Sequence, residues 1–258
     1  MKRHMIPMSL LLFTFLGSIC MADHHESQKQ LIEVREYRLT SGDVAASFDD
    51  YLTKALLPAL NRAGSSTVGV FREETEQDQP LRYVIFAHNS LADFKACNHK
   101  LAADDDYQAA AAAYMSKGKQ QTPLVRIRTE LLDSFDCWPK LKTPELVSNP
   151  GRIFEVRVYE STNERFGNLK VEMFNAGEVP IFLDSGVIPV FMGQAMVGDK
   201  MPNLTYMTVY ADQAAKDKAW DNFRNHPDWK VLSGVQKYKG TVSKIHKINL
   251  LPVPGSQL

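Results

Sequence analysis

The chain has 258 residues, 44% of them hydrophobic and 23% charged, and thirty basic residues balance thirty acidic ones. This is a globular composition sized for two domains of roughly 100–150 residues, and it is too apolar for an extended disordered chain. With no basic excess to release counterions, a dedicated nucleic-acid binder is not expected.

The first element is a targeting segment. Lys2, Arg3 and His4 form a basic start, and Ser9 to Ile19 is an uncharged run rich in Leu and Phe. That run is about half of the ~20 residues a membrane span needs. Cys20-Met21-Ala22 then places small residues at −3 and −1 before Asp23. Residues 1–22 are expected to be a cleaved signal peptide, giving a periplasmic or extracellular chain that starts near Asp23. The rival is a lipid anchor on Cys20, against which the bulky Ile19 speaks. No other segment is long and apolar enough to span a membrane. Losing Lys2 and Arg3 leaves 28 basic against 30 acidic residues. Two cysteines remain, Cys97 and Cys137. They either pair in an oxidising compartment, worth roughly 4 kcal/mol on the chain-entropy model, or stay as separate buried thiols.

Leu31 to Leu39 is rich in β-branched and aromatic residues and predicts a strand. Val44, Phe48, Leu52, Leu56 and Leu60 recur every four residues, so Asp43 to Ala63 predicts a helix, closed by Gly64. Strands follow at Thr67 to Arg72 and Leu81 to His88. Ser90 to Lys117 predicts a broken helix whose second piece starts at Asp104-Asp105-Asp106, with Ala109 to Ala113 favouring the helix. Leu124 to Leu132 is a fourth strand. Pro139 to Gly151 predicts a linker.

The second half repeats this order. Strands are predicted at Arg152 to Tyr159, Val187 to Val197, Leu204 to Tyr210 and Val242 to Leu250. Helices fall at Glu164 to Asp184 and Asp212 to Phe223, with another piece starting at Asn225-His226-Pro227-Asp228-Trp229. The tail from Leu251 is expected to be extended and loose. Glu33-Val34-Arg35 and Tyr37 recur as Glu155-Val156-Arg157 and Tyr159, and Pro58, Gly64 and Val68 recur as Pro180, Gly186 and Val190. The offset is 122 throughout; one step off it, Leu81 and Tyr83 recur as Leu204 and Tyr206. A period this long is a domain duplication.

Each half therefore has the order β-α-β-β-α-β, the ferredoxin-like unit. The fold class is α+β, with two tandem ferredoxin-like domains, 31–132 and 152–251, joined by 139–151 and packed sheet to sheet as a pseudo-dimeric α/β barrel. Alternation puts Ile32, Val34, Phe154, Val156 and Val158 on one strand face, expected to meet the helices. It puts Glu33, Arg35, Tyr37, Glu155, Arg157 and Tyr159 on the other, expected to meet the opposite sheet together with Tyr83 and Tyr206.

Four stretches of the second half carry a family resemblance. They are Gly177-Glu178-Val179-Pro180-Ile181-Phe182, Ile188-Pro189-Val190-Phe191-Met192-Gly193, Met201-Pro202-Asn203-Leu204-Thr205-Tyr206, and Asn225-His226-Pro227-Asp228-Trp229. Together they resemble the NIPSNAP family within the dimeric α/β-barrel superfamily, and the first half looks like a diverged copy. The resemblance implies the fold but no agreed activity, since related barrels include cofactor-free monooxygenases, haem-degrading enzymes and isomerases.

His226 beside Asp228 is the candidate acid–base pair; the other reading is a helix start. Arg157 could hold an anionic or polar ligand against Tyr159 and Tyr206, with Asn203 and Trp229 nearby. Alternatively, Glu155 and Arg157 pair with Glu33 and Arg35 across the seam between sheets. A haem reading would need His226 as axial ligand, and no CxxCH attachment motif occurs. No cofactor and no metal-ligand set is expected, and no GxSxG, P-loop, HExxH or GxGxxG motif stands in a supporting context. The expected function is a non-catalytic binding or interaction module, acting as a monomer or homo-oligomer on a small hydrophobic or aromatic ligand. The alternative is a cofactor-independent monooxygenase or isomerase for such a compound. A ligand-sized cavity reached by Tyr159, Tyr206 and His226 favours the enzyme, and a space filled by side chains favours the module.

Overall fold

The structure, a computed structural model, describes residues 29–258. The expected signal segment 1–22, with Cys20 and the Asp23 start, lies outside them. Strand β1 (Leu31–Leu39) leads into α1 (Ala45–Tyr51), a π turn at Leu52–Leu56 and α2 (Leu57–Ala63). Strands β2 (Val68–Glu73) and β3 (Leu81–His88) follow, then α3 (Leu91–Ala102), α4 (Asp105–Met115) and β4 (Leu124–Ser134). The second half runs β5 (Ile153–Glu160), α5 (Glu164–Met173), a π turn at Phe174–Glu178 and α6 (Val179–Ser185). It ends with β6 (Ile188–Val197), β7 (Asn203–Tyr210), α7 (Gln213–Asn225), α8 (Pro227–Gly234) and β8 (Lys244–Pro252).

The eight described strands close into one antiparallel barrel in the order β1-β3-β2-β8-β5-β7-β6-β4. Its two seams between halves are short. Phe71, Arg72 and Glu73 face Pro252, Leu251 and Leu250 at one, and Leu131 to Ser134 meet Val197 to Gly193 at the other. The lumen is filled by Ile32, Val34, Ile85, Phe154, Val156, Val158, Phe191 and Met207 in one apolar cluster. Leu141, Leu146 and Val147 of the linker pack against that cluster as a stopper.

The two strand faces are the reverse of the expected ones. The apolar face lines the lumen, whereas Tyr37 and Tyr159 lie in the two outer clusters under the helices. The physical reason is closure: side chains from both sheets meet in the lumen, leaving buried polar atoms few partners there. The charged alternates go where helices can supply partners. The expected cross-seam pairing is likewise not made. Glu33 pairs with Arg35 at 2.5 Å and Glu155 with Arg157 at 2.6 Å, each within its own strand.

Register shows that the repeat offset does not slip at the third strand of each half. Arg35 lies opposite Val84, and Arg157 lies opposite Tyr206. The counterpart of Tyr206 is therefore Val84, not Tyr83, and a one-residue shift flips the face. Tyr83 belongs to the lumen and Tyr206 to the helix layer.

Two further expectations change. Cys97 and Cys137 are both free thiols. Cys97 belongs to the first outer cluster and Cys137 packs against the second, so burial of each in its own layer separates them. Burial also pushes the Cys137 thiol up to about 11. The C-terminal tail is docked rather than loose: Val253 N donates to Val70 O at 2.9 Å, Val68 N donates to Gln257 Oε1 at 2.8 Å, and Leu258 is fully buried.

Candidate functional site

Alternation along β5 aims Glu155, Arg157 and Tyr159 at the second-half helices. Arg157 donates through Nε to Glu155 and through Nη1 to Tyr159 Oη at 3.4 Å, and its guanidinium carbon lies 3.4 Å from the Trp220 ring centre. Tyr206 donates its hydroxyl to Tyr159 at 2.9 Å. Lys216 of α7 sits 3.2 Å from Glu155 and donates to Asn249 Oδ1 at 2.6 Å. One polar chain thus runs from Asn249 through Lys216, Glu155, Arg157 and Tyr159 to Tyr206. Burial holds the Tyr206 phenol well above its ordinary pKa, so it stays a neutral donor.

Beside this chain is a second buried pair. Lys170 Nζ donates to Glu178 Oε2 at 2.6 Å and lies 4.6 Å from the centre of Phe174 and 5.6 Å from that of Trp229. Burial pushes the Glu178 carboxyl up against the opposing pull of Lys170. Glu178 ends the π turn, where Gly177 takes φ 155° and Pro180 withholds an N–H from the following turn. A matching π turn precedes Pro58 in the first half. The repeat then supplies an internal comparison, because Phe48, Leu56, Val84 and Phe94 stand 122 residues before Lys170, Glu178, Tyr206 and Lys216. The same local fold is built with apolar residues at all four positions.

The structure brings Arg157, Tyr159 and Tyr206 of the expected ligand set together, with Trp229 at the edge beside Lys170. Asn203 goes elsewhere. On the lumen face of β7, its Nδ2 donates to Glu130 Oε1 at 3.0 Å, and Thr205 donates to Glu130 Oε2 at 3.2 Å. Glu130 and Thr205 border a recess of about 70 Å³ at the barrel mouth. His226 caps α8, its Nδ1 accepting from Asp228 N at 3.2 Å, and Asp228 is exposed in the first helical turn. Asp104 caps α4 at the repeat-equivalent position by accepting from Tyr107 N at 2.9 Å.

The space between sheet and second-half helices is filled by Phe174, Phe182, Tyr206, Trp220 and Phe223. Open space lies instead beside it, in a groove of about 630 Å³ over Arg157, Lys216 and Trp220. Its lining is mostly charged, which does not suit the hydrophobic ligand expected from sequence. Lys170, Lys216, Trp220 and Glu130 belong to no motif in the sequence, and Glu178 stands there only within the Gly177-Glu178-Val179-Pro180 stretch. Lys170 and Glu178 were detectable as charges at positions where the repeat carries Phe48 and Leu56. Among the described residues no group of three or more His, Cys, Asp or Glu could hold a metal ion, and no helix is long and apolar enough to cross a membrane.

The NIPSNAP family model matches residues 154–257. No curated protein matches the chain in sequence. Among solved structures, a candidate monooxygenase of Fusobacterium nucleatum subsp. nucleatum is similar at TM-score 0.59 and 13% identity, covering 88% of this chain and 94% of its own. A candidate monooxygenase of Lactobacillus acidophilus is similar at TM-score 0.58 and 12% identity, covering 89% and 98%. An anthrone oxidase-like protein follows at TM-score 0.50 and 11% identity, covering 88% and 93%. At these identities the likeness concerns the fold alone.

Proposed function

We propose that this chain, whose residues 154–257 form a NIPSNAP domain, is a non-catalytic binding module for a small polar molecule held in the groove over Arg157. The observation that carries this reading is the contrast between the two spaces: the helix layer is filled with side chains, and the adjoining groove has the size of a ligand site. The repeated β-α-β-β-α-β order supports two ferredoxin-like domains facing each other in one barrel. Residues 2–22 support export, and N-terminal sequencing of exported protein should begin near Asp23; a lipid-modified Cys20 would count against it.

The groove reading is tested by native mass spectrometry of the protein from its own host. A retained small-molecule mass is expected, and it should be lost in Lys216→Met, which leaves Glu155 still paired with Arg157. A retained mass indifferent to that substitution would place the ligand elsewhere, and no retained mass would count against the module.

A second reading, a cofactor-independent oxygenase or isomerase for a small aromatic compound, is favoured by the buried Lys170–Glu178 pair beside Tyr159 and Tyr206. The first half does without that pair. The test is oxygen uptake and product formation over a panel of dihydroxyaromatic compounds. Activity that survives Lys170→Phe combined with Glu178→Leu would remove the cluster from this reading.

A further inference from the structure

Two buried cations at the groove floor share one carboxylate. Arg157 donates to Glu155 at 2.6 Å and Lys216 lies 3.2 Å from it, and neither has a second acidic partner among the described residues. The groove is also lined by Lys247 and Arg224. Lys247 is exposed and forms no ion pair among the described residues, and Arg224 reaches only Asp221, at 3.4 Å. Against these four cations the groove sets Glu155, Asp217 and Glu74, which leaves one positive charge in excess. Glu73 is not a fourth acid there. It stands opposite Leu250 and accepts from Tyr83, both residues of the lumen cluster. Donors are left over as well: Lys216 meets Asn249 and Glu155 with an ammonium that has three N–H groups, and Arg157 Nη2 bonds nothing among the described residues.

The duplication shows that the fold does not require these cations. Ser90 caps α3 and Asp212 caps α7, 122 residues apart, so Phe94 stands where Lys216 does and Ala102 where Arg224 does. On the last strand of each half the register decides: Thr129 lies opposite Arg35 as Lys247 lies opposite Arg157. The first half keeps the Glu33–Arg35 pair, but the second partner of Glu33 is the His88 ring at 2.7 Å, which can donate while neutral. Three cations therefore stand around a pair that the first half buries without them.

We propose that the groove holds its small molecule by an oxyanion, a carboxylate or phosphate group set against Lys216, Lys247 and Arg157. This rests on the groove being the ligand site. An oxyanion gives the two cations that share Glu155 a second acceptor, and hydrogen bonds between charged partners are about twice as strong as neutral ones. A neutral molecule leaves the surplus charge unanswered, and a cation adds to it.

The experiment is an NMR titration of the ¹⁵N-labelled mature chain at low ionic strength, where the exposed Lys247 is least screened. The probes are benzoate, phenyl phosphate, benzamide and benzylamine, which share a ring and differ in the charged group. At least one anion should shift the amides around Lys216 and Lys247 saturably and bind at least tenfold more tightly than benzamide. The tighter of the two tells carboxylate from phosphate, and benzylamine should leave those amides unmoved. Lys216→Phe with Lys247→Thr copies the first half and should weaken the anion at least tenfold, with melting temperature and circular dichroism confirming the fold. Lys247→Thr alone, at an exposed position, should weaken it several-fold and keeps the test alive if the double variant misfolds. Benzamide binding in the groove as tightly as the anions would overturn the oxyanion and leave the groove reading standing. Anion binding unchanged in the double variant would overturn both. Anions that shift no amides, or only amides elsewhere, would overturn the oxyanion, and the groove reading would then fall too unless the host-retained mass depends on Lys216.

Discussion

His226 looks like chemistry in the sequence because an imidazole two residues from a carboxylate is a familiar acid–base pair. Its place before Pro227, however, makes it the last residue outside a helix, where an acceptor for an orphan backbone N–H is worth about 1 kcal/mol. His226→Asn retains an acceptor, so the melting temperature should stay nearly unchanged, whereas His226→Ala should cost about 1 kcal/mol. Equal melting temperatures for the two variants would argue against the cap. Glu130 gives a second residue-scale prediction. Burial raises its carboxyl despite hydrogen bonds from Asn203 and Thr205. Between its unfolded and folded pKa values the folded state binds more protons, so this residue's contribution falls as pH rises through that window. Urea titrations from pH 4 to 7 should therefore show wild type losing stability relative to Glu130→Gln as pH rises. A constant difference would mean that Glu130 titrates normally. Asn203 and Glu130 meet only through the barrel, 73 positions apart, so no local pattern could join them.

At the scale of elements, periodicity located the strands and helices because it depends only on local spacing. It could not say which strand face meets which layer. Both faces of β5 are buried, and the assumption that the helices take the apolar one fails in a closed barrel. The π turns were equally invisible, although Pro58 and Pro180 at the repeat offset mark where the helices must rearrange. The comparison between halves turns this into a prediction. Removing only Glu178, as in Glu178→Leu, strands the Lys170 ammonium in a buried layer and should cost about 3–5 kcal/mol. Adding Lys170→Phe recreates the Phe48–Leu56 arrangement and should return the protein to within about 1–2 kcal/mol of wild type, since buried ion pairs and apolar substitutes are often nearly equivalent. Denaturant midpoints of the two single variants and the double decide it. Additive losses would mean that the second half cannot use the apolar solution of the first.

At the scale of the whole molecule, the period of 122 made the duplicated order legible, but not how the ends of the chain secure the barrel. A segment with Pro252, Pro254 and Gly255 has the composition of a loose tail. What holds it is tertiary: Val253 enters the first-half helix cluster, Leu258 enters the lumen cluster, and Ser256 and Gln257 bond β2 and Asn61. The tail thereby extends the three-pair β2–β8 seam. Deleting residues 253–258 removes two buried apolar side chains, each worth about 1.5–3 kcal/mol, so roughly 3 kcal/mol or more of stability should be lost. Because the same deletion frees the Val68 and Val70 amides along β2, the first half should also gain faster amide exchange there, while β6 and β7 keep their protection. An unchanged urea midpoint would mean that the seam holds without the tail. Uniform loss of protection over both halves would mean that the barrel opens as one cooperative unit, with the tail as its closing strap.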